Sequence, residues 1–229
     1  MKVICWKYYL KVANLTKTYV FNIQKKYSFM VSKKDIVVLV NGLSATGKSV
    51  LCEKIANYFG LKYFPTSGIL HALIEKELKK QKIAVKKNTG FWESEEGKIF
   101  FSERLRNGSF DKKVDEELLK KINRGGVVLD SWVMPWLSKK GYKIWLTASD
   151  KVRYKRAALR NRESITKTKK RIIEKEKKTA CIYKKLYGFT WAKELAVFDL
   201  IINTDNLTEK EVFEKAKKAI EKDLLKKKK

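Results

Sequence analysis

Short apolar, β-branched runs alternate along this chain with longer stretches whose apolar residues recur every three or four positions. The runs at 35–40, 61–64, 127–130, 142–146 and 198–203 read as strands, buried where they are apolar throughout. After the first run, Val50, Leu51, Ile55, Ala56 and Phe59 fall on one helical face, and Gly60 supplies a stop. Helical spacing returns over 69–82, through Leu70, Leu73, Ile74 and Leu78, and again over 91–106 and 112–123, with a break at Asn107-Gly108. It recurs over 149–162, 165–187 and 209–225. Strands that alternate with helices predict an α/β fold: three layers, with a parallel sheet covered by helices on both faces. Residues 1–33 stand apart, aromatic and lysine-rich without a clear period. Either translation begins at Met30 and the preceding stretch is not native, or a basic extension adds a strand over 18–23. The four lysines 226–229 form a basic tail.

Between the first strand and its helix lies Gly42-Leu43-Ser44-Ala45-Thr46-Gly47-Lys48-Ser49, which matches G-x-x-x-x-G-K-[ST] at every fixed position. Strand, glycine loop and helix are the context that gives the motif its meaning. Glycines let backbone N–H groups turn inward around an anion, and the helix N-terminus adds positive potential. With Val50 completing the cradle, Lys48 is expected to reach the β- and γ-phosphates of a nucleoside triphosphate and the Ser49 hydroxyl to hold Mg²⁺. The expected ligands are therefore ATP and Mg²⁺. Asp130 ends an apolar strand, where an acid can reach the metal through water; a strand-end or capping aspartate is the alternative. Thr66-Ser67-Gly68 opens the helix after the second strand, a natural place for an acceptor's phosphate. Plain N-capping by Ser67 satisfies the same local sequence.

Composition narrows the picture. A hydrophobic content of 44% supports a globular domain rather than disorder, and 229 residues suit one core with a lid. No run approaches the roughly 18 apolar residues of a membrane span, and the first residues lack a signal-peptide pattern. Cys5, Cys52 and Cys181 have no metal or redox spacing, and His71 is the single histidine, which excludes a multi-histidine metal site. A reducing cytoplasm and a monomer are expected. The net charge of +28 admits nucleic acid as a partner, but most of the cations are lysines spread along the whole chain, which reads as solvated surface. Arginine is more telling. Five of eight lie between Arg153 and Arg171, where they can serve a phosphate-covering lid.

Loop, strand-end acid, acceptor turn and basic helical segment, in this order, resemble the nucleoside monophosphate kinases, most closely the archaeal-type cytidylate kinases. The resemblance runs from Asp35 to Glu221 and is most specific in Val127-Val128-Leu129-Asp130, Lys143-Ile144-Trp145-Leu146, Leu186-Tyr187-Gly188 and Phe198 to Thr204. It implies a kinase domain over 34–225, acceptor-binding helices over about 66–123 and a lid over about 151–188. It also implies nucleotide substrates, with γ-phosphoryl transfer from ATP to CMP or dCMP. Arg156 and Arg160 match the two arginines of the helix leading into the lid, and Lys175 falls where the family has a catalytic arginine. Three positions depart from the family pattern: Ala72, Trp132 and Ile182 stand where arginines are usual. Charge-assisted hydrogen bonds to an acceptor's phosphate contribute about 1.5–3 kcal/mol each, so their loss predicts weak binding of a monophosphate.

Other readings differ in class. An unphosphorylated metabolite could be the acceptor, with Trp92, Trp132 and Trp136 around it. Leu15-Thr16-Lys17-Thr18-Tyr19 is similar to the start of an ATP-binding cassette subunit, but no L-S-G-G-Q follows and Asp130 lacks a following glutamate. A nucleic-acid-linked ATPase would show steep salt dependence of binding.

Overall fold

A computed structural model describes residues 32–66, 68, 69, 76, 104, 106 and 108–226. The expected N-terminal extension lies outside these residues apart from Ser32 and Lys33, as do Met30, the strand over 18–23, His71, Ala72, Trp92, Ser67 and lysines 227–229. Of the helices expected over 69–82 and 91–106, only Ile69, Lys76, Arg104 and Arg106 are described, all four helical.

The strands are β1 (Val37–Gly42), β2 (Lys62–Pro65), β3 (Val127–Asp130), β4 (Tyr142–Thr147) and β5 (Leu200–Asn203). The helices are α1 (Lys48–Phe59), α2 (Ser109–Arg124), α3 (Met134–Leu137), α4 (Asp150–Asn161), α5 (Ile165–Tyr187) and α6 (Glu209–Lys226). All five strands pair in parallel, in the order β2-β3-β1-β4-β5.

β1 is buried along its whole length because both of its faces are covered. Val38 and Val40 meet α1 and α6 through Leu51, Ile55, Ala216 and Ile220. Val37 and Leu39 meet α2 through Val114, Leu118 and Ile122, joined by Ile182 and Tyr183 of α5. This is the three-layer α/β arrangement of a P-loop fold, with the glycine loop between β1 and α1. Val40 pairs with Asp130 and Gly42 with Leu146, so β1, β3 and β4 end together at one edge of the sheet. Ligands of open parallel sheets bind at that edge.

Most element bounds shift by one to three residues from the sequence reading, and three differences have a visible cause. Asp35 belongs to a single 3₁₀ turn over Lys33–Asp35 capped by Ser32, and β1 starts two residues later. The last strand begins at Leu200 rather than 198, because Phe198 N–H donates to the Leu195 carbonyl in a turn. α3 was not expected: it opens at Met134 with Pro135 second, and the Ser131 hydroxyl accepts from the Val133 and Met134 N–H groups at its start.

Candidate active site

The loop's two glycines are needed for different reasons. Gly42 has φ +145°, and a Cβ there would stand 2.3 Å from the Leu146 carbonyl oxygen of β4. Gly47 has open space around it but a φ of +96° that side chains rarely adopt. α1 begins directly after it, bringing the helix's unpaired N–H groups and positive dipole end to the loop. Ala45 holds a left-handed φ of 63°, an uncommon conformation for a residue with a side chain. The Leu43 carbonyl accepts from both Thr46 Oγ1 and Lys48 Nζ, each at 2.9 Å. Behind the loop, Asn41 Oδ1 accepts from the Gly42 N–H, and its buried Nδ2 has no partner among the described residues.

Lys48 is 9% exposed. Burial pushes its ammonium below the ordinary lysine range, while Asp130 and then Glu176 oppose that shift. Ser49 Oγ donates to Asp130 Oδ2 at 2.9 Å across the edge between α1 and β3. Tyr63 of β2 stands beside the same pair. Its phenol is raised above the usual tyrosine range, first by burial, with the Asp130 charge adding and a hydrogen bond with Ser49 opposing. A hydroxyl and a carboxylate on adjacent elements are hard oxygen donors of the kind Mg²⁺ accepts alongside water, so these residues fit that ion.

α4 and α5 rise on the other side of the loop. Arg156 donates to Thr204 Oγ1 at 2.9 Å and to the Thr204 carbonyl at 2.7 Å, while Arg160 is exposed and touches Asn161. Both line a cleft of about 350 Å³ together with Ala45, Thr46, Gly47, Val50, Leu207 and Val212. Apolar walls with two guanidinium groups beside the loop suit a nucleotide base and its phosphates. Lys175 lies 5.2 Å from the centre of the Trp132 ring, and Lys48 lies 5.8 Å from it. Trp132 also packs on Trp191 at 4.6 Å between ring centres. The two lysines, 127 positions apart in sequence, are therefore both near one indole.

Where the sequence reading expects an acceptor, Thr66 follows β2, its buried hydroxyl without a partner among the described residues, and Gly68 is exposed. Trp136 does not join Trp132; it stacks on Phe189 at 4.7 Å and meets Trp145 and Phe198 edge-on. Ile182 is a core residue packed with Val114 and Leu118.

A family model described as the cytidylate kinase-like family matches residues 14–206. The chain belongs to that family. A cytidylate kinase of Pyrococcus horikoshii is 31% identical to this chain over 190 residues, 82% of this chain and 90% of that protein. One from Sulfurisphaera tokodaii is 29% identical over 181 residues, 77% of this chain and 91% of that protein. Among solved structures, an uncharacterized protein from Eubacterium ventriosum superposes with a TM-score of 0.57 at 12% identity, covering 81% of this chain and 98% of that one. At that identity the likeness is one of fold.

In this member of the cytidylate kinase-like family, the structure brings three further side chains to the loop that sequence reasoning did not single out for a role there. Tyr63 is one. The others are Arg153, 2% exposed although it lies on a basic helix, and Glu176, an acid amid lysines. Arg153 falls one turn before Ala157, on the face of α4 that is otherwise apolar and buried, which was the available sign. Nothing comparable marks Glu176 or Tyr63.

Proposed function

We infer that the chain transfers the γ-phosphoryl group of ATP to a nucleoside monophosphate, with CMP or dCMP as the favoured acceptor. The observation that carries this reading is the glycine loop with the Ser49–Asp130 pair at its mouth, in a chain of the cytidylate kinase-like family. A phosphate oxygen of the acceptor attacks the γ-phosphorus, the bond to the β–γ bridging oxygen breaks, and ADP leaves. The attacking oxygen is already ionised, so no general base is required. Loop N–H groups and Lys48 bind the β- and γ-phosphates, and Lys175 meets the phosphoryl group in transit. Arg156 and Arg160 hold the nucleotide in the cleft between loop and lid, and Thr66-Ser67-Gly68 receives the acceptor. Ser49, and Asp130 through water, would hold Mg²⁺, which when bound spreads the charge of the triphosphate tail.

Trp132, in place of an arginine, favours a second reading in which the acceptor carries no phosphate at that end. An ATP-consumption screen across nucleoside monophosphates and unphosphorylated metabolites separates the two. CMP or dCMP turnover with a KM above the ~1 μM–1 mM range usual for enzymes is expected. Turnover of an unphosphorylated compound alone would overturn the acceptor while leaving the kinase.

A further inference from the structure

Ser44, at the tip of the phosphate loop, has both of its backbone polar groups held from the lid helices. Its N–H donates to Glu176 Oε1 of α5 at 2.7 Å, and its carbonyl accepts from Arg153 Nε of α4 at 2.9 Å. Arg153 also donates to the same Glu176 oxygen at 2.5 Å and to Asp150 Oδ1 at 2.8 Å. The result is a closed ring of one peptide segment and one ion pair, with Arg153 2% and Glu176 13% exposed. Next along the loop stands Ala45 in its left-handed conformation, packed against Tyr154, Ala157 and Ile172 of the two helices.

We propose that Arg153 and Glu176 are positioning residues that clamp the Ser44 backbone and thereby set the phosphate loop's shape from the lid. The proposal rests on the reading of this loop as the ATP phosphate site. A loop of glycine and small residues has many backbone conformations, only one of which turns its N–H groups inward. Charge-assisted hydrogen bonds in a nearly dry setting are the strong kind, and here they fix both ends of one residue. Each partner also has a reason to need the other. Without Arg153, Glu176 would present an uncompensated carboxylate to incoming phosphates; without Glu176, the Ser44 N–H loses its acceptor. The clamp thus makes the order of the loop and the seating of the two lid helices one event.

Hydrogen exchange over residues 43–46, read without nucleotide, tests the clamp directly, and steady-state kinetics test its consequence. Glu176→Ala should speed exchange in that segment by about tenfold or more and raise KM for ATP by a similar factor, with a smaller change in kcat. Glu176→Gln retains an oxygen for the Ser44 N–H and should return exchange to within about threefold of the parent. Because Arg153 is buried and its loss threatens the fold, Arg153→Lys serves as the second variant. Combined with Glu176→Ala, it should add less than the two separate effects, since both remove the same ring. A folded Glu176→Ala chain with parental loop exchange and parental KM for ATP overturns the proposal, as does strict additivity. A parent that neither binds nor consumes ATP overturns the underlying reading instead, and the exchange measurement still decides the clamp.

Discussion

Burial lowers the proton affinity of the Lys48 ammonium, and the neighbouring Asp130 and Glu176 carboxylates hold it back from falling further. A cation kept nearly dry beside the loop interacts strongly with charge that gathers on a phosphoryl group in transfer. Lys48→Ala should therefore lower kcat by on the order of 10²–10³-fold with an unchanged circular dichroism spectrum. Near-parental activity would remove the loop from the chemistry. Asp130→Asn separates two roles of one carboxyl. Asn still accepts from Ser49 Oγ, so a merely structural aspartate is replaced at little cost, whereas a metal-supporting one leaves activity deficient at limiting Mg²⁺. A Mg²⁺ titration decides between them. Asp115 behaves differently. Burial first, then the Asp111 charge, raises its carboxyl from 3.8 to about 7, against the opposing hydrogen bond from Tyr187 and the charge of Arg104. The native state then binds the extra proton between those values, so stability is present at low pH and lost as pH rises toward 7. Asp115→Asn removes this dependence. Between pH 5 and 8 its unfolding free energy should gain on the parent by on the order of 2 kcal/mol in urea melts. A constant difference across that range would contradict the assignment.

At the scale of elements, periodicity carried far. Residues 37–40 of β1, the first three residues of β3 and residues 144–146 of β4 are apolar because both sheet faces are covered, and α1, α2 and α6 show their buried stripe at helical spacing. α3 was illegible: four residues are less than the two turns a period needs, and Pro135 reads as a break. The glycine loop was legible because its parts lie side by side in sequence. The Ser44–Glu176 and Ser44–Arg153 contacts join positions 132 and 109 residues apart, a relation that spacing along the chain does not encode. The segment expected to form a lid, α4 and α5, shows the same limit. Its charge suggests a helix with few apolar anchors, yet Ile172 packs with Tyr154 and Ala157, and Ile182 and Tyr183 enter the core beside α2. Its two halves should accordingly differ. A non-hydrolysable ATP analogue is expected to slow exchange severalfold in α4 and over 165–178, and to leave 182–187 equally protected with and without it. A uniform change across α5 would mean that the whole helix moves as one lid.

For the molecule as a whole, 53 basic residues face 25 acidic ones. Ion pairs such as Lys120–Glu117 and Lys178–Glu174 are exposed and contribute little, so self-repulsion governs how stability responds to salt. Raising NaCl from about 0.05 to 0.5 M shortens the screening length to a few ångströms and should raise Tm by several degrees. A falling Tm would show that attractive pairs dominate instead. The sheet order carries a consequence for how the protein is made. β1 is made before either of its partners, β3 and β4, so Val38 must wait for Val128 to be paired on one side and for Tyr142 to be paired on both. Such distant pairings are slow to form. The Leu146 carbonyl that backs Gly42 arrives only with β4. A nascent chain stalled before β4 has the complete motif and no wall to shape it, so the glycine loop takes its form only once β4 has been made.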